Sequence, residues 1–286
     1  MKQMMRIVYV NGHFLPARQA SISIFDRGLL FGDAVYEVTA CLDGRLIDNA
    51  AHLERLSRSL DALGIDLPMS LSRIETIQCR LIADNELTDG IVYVQISRGT
   101  GERDFLWPEA ITPNIIMFTQ SKNLRSPPLA DRGARVVTAP DIRWKRRDIK
   151  TTGLLAQSLA KAKAKEMGCD DAWLVESGYV TEGSSTNAFI VTAAGKLKTR
   201  ALSEDILSGI TRRAVLSIAT RSQLEVEEAA FSVDEAMAAK EAFATGSSYF
   251  VLPVVEINSS QIGDGKPGPI TNQIRQRYIE LASLTL

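Results

Sequence analysis

Two β-prone runs flank Asn11-Gly12 in IVYVNGHFLPA, and Asn-Gly is the pair that best accepts the backbone of a two-residue hairpin turn. The stretch that follows at 25–33, FDRGLLFGD, is rich in Gly and Asp. It leads into a strand-like AVYEVTACLDGRLI, in which Asp43-Gly44 marks a second hairpin. From Asn49 the period changes. His52, Leu53, Leu56, Leu60 and Leu63 recur at helical spacing up to Gly64, which predicts a helix ending there. A second helix is expected over 70–86, and IVYVQISRG (91–99) alternates as a strand. Residues 121–133, SKNLRSPPLADRG, hold two prolines and little apolar content, so they read as a linker. Beyond them the pattern predicts a strand at RVVTA, a helix from about 153 to 167, and strands at DAWLV and NAFIVT. A helix near Ile210, a strand near 224–228, a helix near 233–240 and strand signal in FATGSSYFVLPVVEI complete the chain. No internal repeat or heptad array is present. The organisation expected is two α/β domains, 1–120 and 134–286, joined by a linker at 121–133, with a ligand cleft at their junction.

Composition restricts function more than fold. With 286 residues, 45% of them hydrophobic, the chain can build two domains with substantial cores. Thirty-three Lys and Arg balance 34 Asp and Glu, so no net field draws nucleic acid or an acidic membrane. Cys41, Cys79 and Cys169 are odd in number and widely separated, which argues against a disulfide framework. His13 and His52 alone supply neither a His-rich metal site nor much material for a Ser-His-Asp triad. The N-terminal MKQMMRIVYVNG turns polar too early for a signal peptide, and no apolar run approaches the ~20 residues that span a bilayer. The expectation is a cytoplasmic protein with no metal, nucleic-acid or membrane partner.

Five stretches hold candidate chemistry, each with a plainer reading beside it. In DIRWKRRDIKTTGLL (141–155), Arg143, Lys145, Arg146, Arg147 and Lys150 form either a solvated basic face or a setting in which neighbouring cations turn the Lys150 amine into a nucleophile toward an aldehyde. In VTEGSSTNAFIV (180–191), Glu182 is either a surface charge on a polar turn or a carboxylate turned inward to hold a cationic ring nitrogen. ILSGITRRAV (206–215) places Gly209, Ile210 and Thr211 at a helix start, where backbone N–H groups and a hydroxyl suit a phosphate; a helix capped by Ser208 is the alternative. ATGSSYF (244–250) offers Ser247 and Ser248 to the same phosphate, or is only a turn. In AHLERLSRSLDAL (51–63), Arg55 lies near the edge of the Leu53, Leu56 and Leu60 stripe, as a solvated residue or as a guanidinium for a phosphate dianion.

The five occur together, in this order. FDRGLLFGDAVYE, HLERL, RGTGERDFLWP, DIRWKRRDIKTTGLLAQSLAKAKA, TEGSSTN and LSGITR resemble the fold type IV pyridoxal-phosphate enzymes over nearly the whole chain. That group holds the D-amino-acid and branched-chain aminotransferases and aminodeoxychorismate lyase; GDAVYE and DIRWKRRDIK resemble the D-amino-acid type most. The resemblance implies a two-domain α/β (α+β) fold, with a small N-terminal α/β domain and a larger C-terminal, cofactor-binding pseudo-barrel. It implies that pyridoxal 5′-phosphate is held covalently by Lys150, which also moves the proton between Cα and the cofactor carbon. Glu182 then pairs with the pyridine nitrogen, Arg55 binds the phosphate with Ile210, Thr211, Ser247 and Ser248, and Leu207 packs on the ring. The substrate carboxylate falls to Tyr36 and Arg103. Where the D-type family has a histidine two residues past that arginine, this chain has Phe105, which cannot donate a hydrogen bond.

The activity so implied is transamination between a D-amino acid and a 2-oxo acid such as pyruvate or 2-oxoglutarate. Phe105 opens the alternative of an (R)-selective amine aminotransferase; a branched-chain L-amino-acid aminotransferase and aminodeoxychorismate lyase share the scaffold. A catalytically inactive cofactor-binding protein is the non-enzyme alternative, opposed by the joint presence of Lys150, Glu182 and Arg55. In the family the loop bearing the arginine enters the neighbouring subunit's site, which implies a homodimer.

Overall fold

The computed structural model describes residues 6–284; the N-terminal stretch read for a signal peptide begins in 1–5, outside the described residues. The chain divides into two compact units. One comprises the described residues through Asn123 together with Ile149–Gly153, and the other comprises Leu124–Asp148 and the described residues from Leu154 onward.

In the first unit, β1 (Ile7–Val10) and β2 (His13–Pro16) close on Asn11 (φ 44°) and Gly12 (φ 98°), the two left-handed positions that the Asn-Gly pair supplies. The Gly/Asp-rich stretch forms a five-residue helix, Arg27–Phe31, capped by Asp26 accepting from Leu29 N–H at 3.3 Å. Strand β3 (Ala34–Leu42) turns at Asp43-Gly44 into β4 (Arg45–Leu46). The leucine-spaced helix runs Asn49–Leu63 and ends at Gly64 in the left-handed conformation, followed by Leu71–Asp84, β5 (Gly90–Ser97) and β6 (Asn114–Ser121). The six strands form one antiparallel sheet in the order β2-β1-β6-β5-β3-β4. Both long helices cover one face, where Val35, Leu53, Leu56, Leu60, Ile74, Ile77, Leu81 and Val94 make a buried core joined by Ile149. The opposite face carries a stack of Tyr36, Tyr93 and Phe118, with centroids 5.5 and 4.7 Å apart.

The second unit opens within the stretch read as a linker. Leu124 is buried, Arg275 donates to the carbonyls of Leu124 and Arg125, and Pro128–Arg132 forms a short helix begun by its own proline. Then follow β7 (Ala134–Pro140), the helix Leu155–Glu166, β8 (Asp171–Glu176), β9 (Tyr179–Gly183), β10 (Asn187–Val191) and β11 (Leu197–Thr199). The helix Ile210–Arg221, β12 (Val226–Glu228), the helix Val233–Met237, β13 (Glu241–Gly246), β14 (Phe250–Ile257), β15 (Ser260–Gln261) and the helix Pro269–Leu284 end the described chain. These strands make a mixed nine-stranded sheet, ordered β12-β11-β10-β13-β14-β7-β8-β9 with β15 on β14. Its parallel pairs are β14/β7, β7/β8 and β11/β12. Trp173, Val180, Ala188, Phe231, Leu252 and Val254 are enclosed on one side of it, and Phe189, Val215, Phe243 and Val251 form a second cluster.

Candidate active site

The first unit positions Lys150 by backbone pairing. Tyr36 N–H donates to the Lys150 carbonyl at 3.0 Å and Thr152 N–H to the Ala34 carbonyl at 3.1 Å, so Ile149–Gly153 lies along the start of β3. Ile149 is anchored in the core, and the Lys150 N–H reaches Ser59 Oγ at 3.4 Å. With its backbone fixed, Lys150 places Nζ 4.3 Å from the centroid of the Tyr36 ring, within cation–π range.

One residue along β3 the side chain turns to the other face. Glu37 is fully buried there and accepts from Arg55 Nε at 2.7 Å and NH2 at 2.8 Å, with His52 Nδ1 at 2.7 Å. Burial pushes the Glu37 carboxyl up, but the Arg55 guanidinium and His52 more than offset it and hold it far below the usual carboxylate range. Arg55 is 4% exposed, which corrects both its placement at the edge of the apolar stripe and the solvated reading. A guanidinium can be enclosed at this point because a carboxylate is enclosed with it in two-point geometry.

Arg103 is exposed, its guanidinium carbon 5.6 Å from the centroids of both Phe31 and Phe105. Phe105 is 78% exposed, and no hydrogen bond joins Arg103 to Tyr36 among the described residues.

In the second unit Glu182 lies on β9 with 4% exposure, so the surface-charge reading falls. Its carboxylate is ion-paired with Arg143 and accepts from Asn187 Nδ2 at 3.0 Å and Leu207 N–H at 3.1 Å. Burial pushes this carboxyl up, and Arg143 offsets that only in part. Arg143 is shared with Asp141, whose side chain is enclosed, donating from Nε at 2.9 Å and NH2 at 2.7 Å, while Thr181 Oγ1 donates to the same carboxylate at 2.7 Å. Burial acts to raise Asp141, yet Arg143, Thr181 and Arg147 together leave it lowered. The other cations before Lys150 are also paired: Arg147 and Lys145 with Glu176, Arg146 with Asp148. The basic run is therefore neither a solvated face throughout nor a bare positive cluster acting on the lysine.

Gly209, not Ser208, is the N-cap of the Ile210–Arg221 helix, and no side chain caps it. A Cβ at Gly209 would fall 2.0 Å from Asn187 Oδ1, so only glycine allows this approach. Ile210 and Thr211 open the helix, whose first-turn N–H groups have no acceptor within it. Ser247 and Ser248 are half-buried in the turn after β13. Sequence reasoning missed two hydroxyls nearby. Thr186 Oγ1 and Thr245 Oγ1 are buried without a hydrogen-bond partner. Thr245 pairs with Asn187 across β13 and β10, and the Thr186 methyl would lie 3.4 Å from a Cβ at Gly246. The signal for both was present in the small polar runs GSST and ATGSS. Glu37 was missed as well, although Val35 and Cys41 reveal the parity that turns it inward.

Taken residue by residue within each unit, the chemistry suits pyridoxal 5′-phosphate. A phosphorylated aldehyde with a basic ring nitrogen needs an amine to hold it, a desolvated carboxylate for the ring and donors for the phosphate. Lys150 in the first unit is of the first kind and Glu182 in the second unit is of the second kind. Thr186 Oγ1 and Thr245 Oγ1, buried hydroxyls that are costly when left without partners, are of the third kind. Among the described residues no group of His, Cys, Asp and Glu is placed to hold a metal ion, and no helix is long and apolar enough to cross a membrane.

Comparison with known proteins agrees with this chemistry. Residues 34–257 match the family Amino-transferase class IV. A D-alanine aminotransferase of Staphylococcus aureus is 34% identical over 284 residues, covering 98% of this chain and 100% of that protein. The branched-chain amino acid aminotransferase of Escherichia coli has the same fold, with a TM-score of 0.90, 23% identity and coverage of 97% of this chain and 94% of that one. The branched-chain amino acid aminotransferase of Thermobaculum terrenum, solved in its PLP-bound holo-form, shares the fold as well. Its TM-score is 0.87 at 23% identity, with 98% of this chain and 94% of that one covered.

Proposed function

The chain belongs to the class IV aminotransferase family and works with pyridoxal 5′-phosphate, and from that premise we propose that it exchanges amino groups between a D-amino acid and a 2-oxo acid. The observation that carries this reading is Glu182, a buried carboxylate held by Asn187, Leu207 N–H and Arg143, with its carboxyl pushed up by desolvation. Such a group is stabilised by a protonated ring nitrogen. The D-alanine aminotransferase of S. aureus, similar over its full length, supports the choice of a D-amino acid.

When bound, the cofactor supplies an electron sink for the carbanion formed at the substrate Cα. The chain's residues do the remainder. Lys150 would hold the cofactor through its amine and, once the substrate amine has displaced it and left Nζ free, would take the Cα proton on Nζ and return it one carbon away. Glu182 keeps the ring nitrogen protonated. Arg55, the N–H groups of Ile210 and Thr211, Ser247 and Ser248 bind the phosphate, joined by Thr186. Leu207 packs against the ring. Tyr36 and Arg103 take the substrate carboxylate, and the ring of Phe105 lines that position with apolar surface.

A second reading, an (R)-selective amine aminotransferase, is favoured by one observation: the side chains bordering Arg103 are the rings of Phe31 and Phe105. Exposed Ile24, Leu29, Phe105, Leu106 and Trp107 support a homodimer, since large apolar side chains crowded on one unit favour a covered face. Three unpaired cysteines support a cytoplasmic setting.

The test is the visible absorption band of the purified holoenzyme on addition of D-alanine without an acceptor. Loss of the band, with pyruvate formed, supports the D-amino-acid reading. A band that persists with D-alanine but bleaches with an aromatic (R)-amine transfers the assignment to the second reading.

A further inference from the structure

We infer that Asp33 is a positioning residue for Arg103, fixing through Arg27 and Arg98 the loop that presents this guanidinium to the substrate carboxylate. A single oxygen, Asp33 Oδ2, accepts from Arg27 Nε at 2.9 Å and from Arg98 Nε at 2.7 Å. Both guanidiniums are enclosed, with side-chain exposures of 3% and 5%, and the carboxylate is at 11%. Two buried cations on one carboxylate are stable only if their remaining N–H groups find acceptors. The carbonyls they find define the device.

Arg27 NH1 donates to the Asp104 carbonyl at 2.7 Å and to that of Leu106 at 3.5 Å, gripping the loop on either side of Phe105. Arg98 donates to the carbonyls of Leu63 and Gly64, at the C-terminal end of the helix that carries Arg55. Trp107 lies over Arg98 at 3.9 Å, a second hold on the same loop. Phe31 lies over Arg27 at 4.5 Å, Phe105 is 5.7 Å from Phe31, and Arg103 borders both rings at 5.6 Å. Arg103 has no carboxylate partner among the described residues, so its direction is set by the loop beneath it. The inference rests on reading Arg103 as the carboxylate-binding group.

Three holoenzyme variants test it: Asp33→Asn, Arg27→Lys and Trp107→Leu. Trp107 is 60% exposed, so its variant tests the loop even where loss of Asp33 prevents folding. Steady-state kinetics with D-alanine are read beside hydrogen exchange at the amides of 101–112. Expected are a rise in KM of roughly tenfold or more with kcat within about threefold, and faster exchange in the loop. A folded Arg27→Lys and Trp107→Leu pair with unchanged KM and unchanged exchange overturns the inference. If wild type does not turn over D-alanine, the D-amino-acid reading falls separately, and unchanged loop exchange in the variants still overturns the role of Asp33.

Discussion

Glu37 and Arg55 meet in a two-point pair, Nε to Oε1 at 2.7 Å and NH2 to Oε2 at 2.8 Å, with neither side chain open to solvent. The residue before Glu37 is Tyr36, which turns to the opposite face of β3 and borders Lys150. One strand therefore borders the proposed phosphate ligand on one side and the proposed reactive amine on the other. Two adjacent residues suffice because strand side chains alternate.

Glu37→Gln leaves the enclosed Arg55 guanidinium without its counter-charge, at an expected cost of about 3–5 kcal/mol. The folded pKa of Glu37 is depressed, so its contribution is present above the unfolded carboxylate range and lost as pH falls through the folded value. Wild type should thus lose more stability than the variant between about pH 7 and about pH 3. Denaturant midpoints at both values check this, and parallel losses contradict it.

Glu182 has the opposite sign. Its folded pKa is raised, so its contribution is fully present below the unfolded value and lost as pH rises through the folded one. Cofactor-free wild type should weaken relative to Glu182→Gln from about pH 4 to about pH 7. In the holoenzyme the same substitution should slow turnover about 100-fold or more, because the stabilising charge at the ring is gone. An undiminished rate removes Glu182 from this role.

Lys150→Ala should abolish transamination and leave a protein that binds the cofactor without fixing it covalently. Borohydride treatment followed by mass measurement distinguishes the two: wild type gains the reduced cofactor and the variant does not. Normal turnover by the variant would sink the assignment.

Gly209→Ala places a methyl 2.0 Å from Asn187 Oδ1, and Asn187 in turn holds Glu182 at 3.0 Å. The expected cost is about 1–3 kcal/mol of stability, together with weaker retention of the cofactor in an equilibrium titration. Unaltered retention would mean that Asn187 moves aside freely.

Phe105→His returns a donor beside Arg103. A hydrogen bond to a charged carboxylate should lower KM for D-alanine roughly tenfold, with little change for a carboxylate-free amine. Equal effects on both substrates would show that the ring acts only by packing.

What the sequence disclosed was chiefly local. Asn11-Gly12 and Asp43-Gly44 announced their turns because left-handed φ (44° and 98°, 50° and 73°) is a property of the residues that occupy it. Leu53, Leu56 and Leu60 announced a helix because their spacing matches its period. Burial of charge was not legible, since it depends on partners far along the chain: Arg55 lies 18 residues from Glu37, and Arg143 lies 39 from Glu182. The helix Pro269–Leu284 was missed although Ile274, Tyr278 and Ala282 are buried at four-residue spacing. Strand β6 was missed too, while Thr186 and Thr245 are ordinary small residues until their hydroxyls are found without partners.

The edge of β3 is completed by Ile149–Gly153, which the chain delivers only after Leu124–Asp148 has departed into the second unit. During synthesis on the ribosome the first 123 residues emerge with that edge still open. The Tyr36 N–H and the Ala34 carbonyl then wait for Lys150 and Thr152. The segment that closes the first unit is the one that bears Lys150, so completion of this unit and delivery of the proposed nucleophile fall to the same five residues.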